Sequence, residues 1–210
     1  NDSQTGQYSA VSSFTVDSQK GLQLGYFSEE GFVCLFKEPS KDAVTVRKDA
    51  FFAKGSSGLT EFDPSSGKIP SGEIIGAYHI KIGKDYKDYN SLYKELVEVK
   101  QKGVDAYPAY DDGWQIWTGF YLDENEAQTA ITKNIDPALG TGDYSVVSPS
   151  ASRITVLSKD GQPILVFDSI YYAFGVQPEV EDGTGVLRIN GDDKSRYRGG
   201  LEVLRLSEVI

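Results

Sequence analysis

Two short stretches of the chain set hydrogen-bonding and aromatic side chains where they could hold a sugar. In Y-H-I-K-I-G at 78–83, His79 and Lys81 alternate with Tyr78, Ile80 and Ile82; in W-Q-I-W-T-G-F at 114–120, Gln115 and Trp117 alternate with Trp114, Ile116 and Thr118. Alternate side chains of a strand point to opposite faces. If the apolar set faces a core, His79, Lys81, Gln115 and Trp117 share the opposite, open face. An indole among amines and amides grips a sugar ring, with the apolar ring face on the indole and the hydroxyls on the polar groups. Tyr107, in V-D-A-Y-P-A-Y at 104–110, completes the candidate glycan-binding set. Trp117 has a second reading, packing beneath a neighbouring part of the chain, because Trp is usually largely buried. His79, the sole histidine, reads as a solvated strand residue rather than a catalyst.

Other chemistries fail on their motifs, and no catalytic residue, metal site or cofactor is expected. One histidine cannot build a His-rich metal site or H-E-x-x-H. Ser65-Ser66-Gly67-Lys68 and Ser91-Leu92-Tyr93-Lys94 satisfy S-x-x-K, but the S-D-N and K-T-G partners of that nucleophile are missing. Gly183-Thr184-Gly185 lacks the rest of a dinucleotide loop, and no G-K-S or G-K-T exists. Asp111-Asp112-Gly113 and Asn190-Gly191-Asp192-Asp193 lack EF-hand spacing and read as turns. The separation of acid pairs that glycoside cleavage needs is not encoded in spacing alone.

The elements that must position the candidate site follow a duplicated plan of strand, glycine and helix. After Gly83 and a cap at Asp85, Tyr86, Tyr89, Tyr93 and Leu96 recur at helical spacing, with Leu92 and Val99 beside them, and Gly103 supplies the stop. After Gly119 and Phe120, Asp123 and Glu126 form a capping box before Ala127, Ala130 and Ile131. The strand at 104–110 ends in the Asp111-Asp112-Gly113 turn, and Pro108 confines it to an edge or a bulge. A last strand is needed near 143–147. The expected class is α+β: a small β-α-β-β-α, ferredoxin-like unit with an antiparallel sheet, flanked by a mostly β module.

The flanks read as β. R-I-T-V-L-S-K-D-G-Q-P-I-L-V-F at 153–167 is a hairpin turning at Lys159-Asp160-Gly161. Further strands are expected at Leu22–Tyr26, Gly31–Phe36, Ala43–Val46, Val186–Ile189 and Leu201–Leu206, each bounded by turn formers.

The strand–Gly–helix signature at 76–136 resembles the SPOR domain, a bacterial envelope module that binds peptidoglycan glycan strands. Lys81 and Lys84 stand where that family usually carries Gln and a small polar residue. The run Tyr197-Arg198-Gly199-Gly200-Leu201-Glu202-Val203 resembles the Y-R-G-x-(I/L)-E-V signature of the SpoIID/LytB family of cell-wall lytic proteins, and G-L-Q-L-G-Y-F at 21–27 resembles that family's opening strand. The two resemblances imply a SPOR-like unit at 76–136 inserted in a discontinuous β module at 15–70 and 140–210, after a flexible segment at 1–14. They also imply a non-catalytic glycan-binding portion of a longer lytic protein, since the catalytic stretch of that family would lie beyond Ile210. Two alternatives are a docking module for the division or engulfment machinery, and an insert that orients a catalytic region. Arg196 and Arg198, beside the signature, either hold a carboxylate or line a groove.

Composition fits these expectations. A net charge of −10 disfavours nucleic acid and anionic membranes as partners, while an uncharged glycan meets no such repulsion. No apolar run approaches the ~18 residues of a spanning helix. The absence of methionine and the polar N-D-S-Q-T-G-Q opening suggest a mature, exported chain, extracytoplasmic in location. Cys34, the single cysteine, sits in F-V-C-L-F and is expected to be a buried, inert thiol.

Overall fold

The computed structural model describes residues 12–38, 43–56, 58–179 and 185–203. In chain order the strands begin with β1 (Ser13–Asp17), β2 (Leu22–Ser28), β3 (Gly31–Glu38) and β4 (Val44–Lys48). A small trio follows, β5 (Phe52–Gly55), β6 (Gly58–Glu61) and β7 (Glu73–Ile75). Then come β8 (Tyr78–Tyr86), helix α1 (Tyr89–Gln101), β9 (Ala106–Tyr110), β10 (Trp114–Tyr121), helix α2 (Glu124–Ala130) and β11 (Tyr144–Val147). The chain continues through β12 (Arg153–Leu157), β13 (Pro163–Asp168), β14 (Ala173–Pro178), β15 (Val186–Ile189), β16 (Arg196–Arg198) and β17 (Leu201–Val203).

The class differs from the expected one. The chain is mostly β, with 49% strand against 18% helix, and its principal sheet has ten strands in the order β11-β8-β10-β9-β13-β12-β4-β1-β15-β16. The strands and helices read at 78–147 are present, but they do not make a small ferredoxin-like unit of their own. Through β9 they continue into β13, where Val166 and Phe167 run parallel to Ala109 and Tyr110. A second sheet, β17-β14-β2-β3, and a third, β6-β5-β7, complete the fold. Sequence periodicity reports which face of a strand is apolar. It does not report which strand lies alongside, and the edge that would have bounded a separate unit is occupied.

Local signals account for most element ends. Asp88, rather than Asp85, caps α1 by accepting from the Ser91 amide at 2.9 Å, because β8 runs on to Tyr86. The capping box before α2 forms: Asp123 accepts from the Glu126 amide at 2.8 Å and the Glu126 carboxylate from the Leu122 amide at 2.7 Å. The helix then continues through a wider turn at Ile131–Ile135 into Asp136–Leu139. Pro108 sits within the sheet, not at its edge. It is opposite Ile116 of β10, and the β13 ladder begins only at Ala109, so the missing N–H removes no bond there. Leu201–Val203 is the described part of the strand expected to reach residue 206; the remainder lies outside the described residues.

The main core is continuous across these elements. Leu92, Leu96 and Val99 of α1 and Ala127 and Ala130 of α2 pack with Ile80, Ile82 and Ile116, and the same cluster reaches Leu22 and Leu24 of β2 and Phe174 and Val176 of β14. A fully buried side chain such as Leu92 contributes about 1.5–3 kcal/mol relative to exposure. Cys34 departs from its expected burial and is exposed. The ladder passes from Leu24–Phe36 to Gly25–Cys34, so Leu35 is an extra residue that breaks the alternation.

Candidate functional site

The open face expected around Trp117 is instead the inside of a curl. Four strands separate β8 from β4 in the sheet, yet His79 of β8 meets Asp49, the residue after β4, with Nε2 3.0 Å from Oδ2. Only a strongly curved sheet brings those ends together. Its concave side holds Tyr107, Ala109, Trp117 and Val166 as a second buried cluster, with Phe120 and Val147 against it.

His79 is therefore fully buried rather than solvated, and so is Asp49. The other ring nitrogen, Nδ1, lies 2.8 Å from both the Tyr107 hydroxyl and the Gly119 carbonyl, and that hydroxyl donates to the same carbonyl. Asp49 Oδ2 also takes Arg153 Nη1 at 3.3 Å. Burial alone would raise the Asp49 carboxyl, but His79, Arg153 and Arg47 together hold it below its ordinary value. Burial pushes the Tyr107 phenol well up, with the Asp49 charge adding to it. This network is closed to solvent, and its groups bond one another.

Trp117 is 1% exposed. Its indole stacks on the His79 imidazole at 5.2 Å, the Arg153 guanidinium covers it at 4.8 Å, and Nε1 donates to Gln115 Oε1 at 2.8 Å. The packed reading of Trp117 is the one that holds, and Gln115, buried beside it, is engaged by the indole. Lys81 pairs with Asp85 at 2.8 Å. His79, Tyr107, Gln115 and Trp117 are thus brought together, but as interior groups no sugar reaches without opening the fold. Of the arginines beside the C-terminal signature, Arg196 pairs with Asp193 at 2.7 Å and Arg198 is exposed.

A different aromatic surface is exposed. In the loop between β13 and β14, Ile170 is 63% and Tyr171 65% exposed. The partly exposed Tyr172 stacks on Tyr26 at 4.4 Å, Tyr26 on Tyr110 at 5.7 Å, and Tyr110 on Phe167 at 5.8 Å and an interplanar angle of 5°. Asp168 anchors the loop by accepting from the Ile170 amide at 3.1 Å and from the Ser152 hydroxyl at 2.5 Å. Asp111 and Asp112 follow Tyr110 directly and offer carboxylate acceptors at the same end of β9. Burial and Asp168 raise the Asp111 carboxyl. The sequence signal for this surface is the run Ile170-Tyr171-Tyr172 in a bend between two strands, where connecting segments run over the surface.

Among the described residues no group of three or more His, Cys, Asp or Glu side chains could hold a metal ion, and no helix is long and apolar enough to cross a membrane. No protein-family model, curated protein or solved structure matches the chain.

Proposed function

We propose that this chain is a non-catalytic, peptidoglycan-binding portion of an exported cell-wall lytic protein, and that the tyrosine surface at 170–172 meets the glycan. The observation that carries the reading is the stack in which Tyr172 and Tyr26 extend the half-buried Tyr110 and the buried Phe167 to solvent. Rings backed by other rings are held in place, so a sugar stacks on them with little further loss of conformational freedom. Asp111, Asp112 and Tyr171 supply hydroxyl partners at its rim. The peptidoglycan strand is the ligand suggested by the sequence signatures at 76–136 and 197–203.

The test is co-sedimentation with purified sacculi before and after amidase removal of the stem peptides, with muropeptide release followed in the same tubes. Binding that rises after stripping, without release, is expected. Replacing both Tyr171 and Tyr172 by Ala should lower the bound fraction at least about tenfold, since the Tyr172 ring and the Tyr171 hydroxyl each contribute on the order of 1 kcal/mol. Wild-type binding by that variant refutes the platform, and no binding by the wild type refutes the function. A second reading, a structural insert that orients a catalytic region, draws support from the way β8–β11 are built into the main sheet.

A further inference from the structure

The curled sheet is open at one end. There a cleft of about 500 Å³ lies between β7, the end of β10 and the β12–β13 hairpin, within the range typical of small-molecule sites. Ile75, Phe120, Leu157 and Pro163 give it an apolar wall, and Arg47 of β4 lines it from within.

Arg47 is the anomaly. It is only 4% exposed, its Nε is sealed from solvent with no hydrogen-bond partner, and among the described residues no carboxylate is paired with its guanidinium. What it has are ring faces, Phe52 at 5.2 Å and Phe120 at 5.7 Å. The carboxylate that feels its charge, Asp49, has Oδ2 taken by His79 and Arg153. A desolvated cation whose Nε finds no acceptor is costly, and burial lowers the proton affinity of this guanidinium. A planar fork of N–H donors between two rings, facing a cleft, has the geometry of a carboxylate receptor.

The surroundings narrow the ligand. Glu73 and Asp105 also line the cleft, and the chain carries a net charge of −10, so a phosphate dianion meets about twice the repulsion that a single carboxylate does. The apolar wall calls for an apolar body behind the charge. We propose that the cleft binds a small monocarboxylate with an apolar body, the carboxylate paired with Arg47 and the body against Ile75, Phe120, Leu157 and Pro163. This site is separate from the tyrosine surface and does not depend on a glycan being bound there.

The experiment is a titration of the ¹⁵N-labelled chain with 4-phenylbutyrate, followed at the arginine Nε–H signals and the Gly119 and Phe120 amides. Saturable shifts are expected at Arg47 and Phe120 with the carboxylate, and none with 4-phenylbutanol or inorganic phosphate at equal concentration. Arg47→Lys, which keeps the charge but loses the fork, should bind at least about tenfold more weakly. Leu157→Trp, which fills the cleft while leaving Arg47 itself unchanged, should abolish the shifts; it decides the matter even if changes at Arg47 prevent folding. No saturable shift, an equal response to the alcohol or to phosphate, or undiminished binding by Leu157→Trp would overturn the proposal.

Discussion

Asp49 shows how a single buried charge can organise a face of this molecule. It is fully buried, and its carboxylate is stabilised by His79, Arg153 and Arg47 against the opposing effect of desolvation. Because its folded-state pKa lies below the unfolded value, the folded form gains from its ionisation above about pH 4, and that gain disappears as pH falls through the folded pKa. Asp49→Asn should destabilise the protein by about 3–5 kcal/mol at neutral pH, as expected when one partner of a buried ion pair is removed. It should also flatten the stability profile below about pH 4, which urea midpoints from pH 3 to 7 would measure. A variant with the wild-type acid limb would show that Asp49 is not the group responsible. At this scale the sequence marked His79, Gln115 and Trp117 as one constellation but misjudged its surroundings. Asp49, just after β4, and Arg153, at the start of β12, are distant in sequence from His79, and no local pattern pairs them with it.

Strands and caps were more legible than their partners. The alternation at 78–82 and 114–118, the capping box at Asp123 and Glu126 and the hairpin at 153–167 all act within a few residues, so a linear reading detects them. The close approach of strands does not act locally, and glycine marks it. A Cβ on Gly76 would fall 1.7 Å from the Tyr121 carbonyl oxygen, while the Gly76 amide donates to Phe120 at 3.0 Å. The obstruction is backbone and cannot swing aside. Gly76→Ala should cost about 3 kcal/mol, the upper end for overpacking, whereas Gly113→Ala, whose added methyl meets nothing within 4 Å, should be much milder. Thermal midpoints of the two variants compare them directly, and similar losses would refute the steric account.

For the whole molecule, the main correction concerns the fold class, large multi-strand sheets standing in place of a small ferredoxin-like unit. The apolar cluster runs without a break from the helices at 89–139 to β2 and β14, and the concave side of β8–β10 is covered by Asp49 and Arg153. A peptide of residues 76–147 should therefore lack stable structure alone, leaving Trp117 and His79 exposed, and the described fold should unfold in one cooperative transition. Far-UV circular dichroism and amide dispersion of the peptide test this; a well-dispersed spectrum would restore an autonomous unit. The hairpin at 153–167 and the strands at 78–86 and 114–121 were readable from pattern, while the predominance of β structure over the expected α+β mixture was not. The parallel seam between β9 and β13 was not, because its partners are more than fifty positions apart.

The pairing of β1 with β15, Val16 opposite Ile189, and of β2 with β14, Leu24 opposite Val176, has a consequence for the order of events at the ribosome. Each of these early strands has one neighbour close behind it, β4 or β3, and the other far along the sequence, β15 or β14. Long-range closure of this kind is slow, and here it cannot begin until residues 173–189 have been delivered. Until those residues emerge, β1 and β2 each lack one neighbour, and their arrival sets the moment at which both sheets can close.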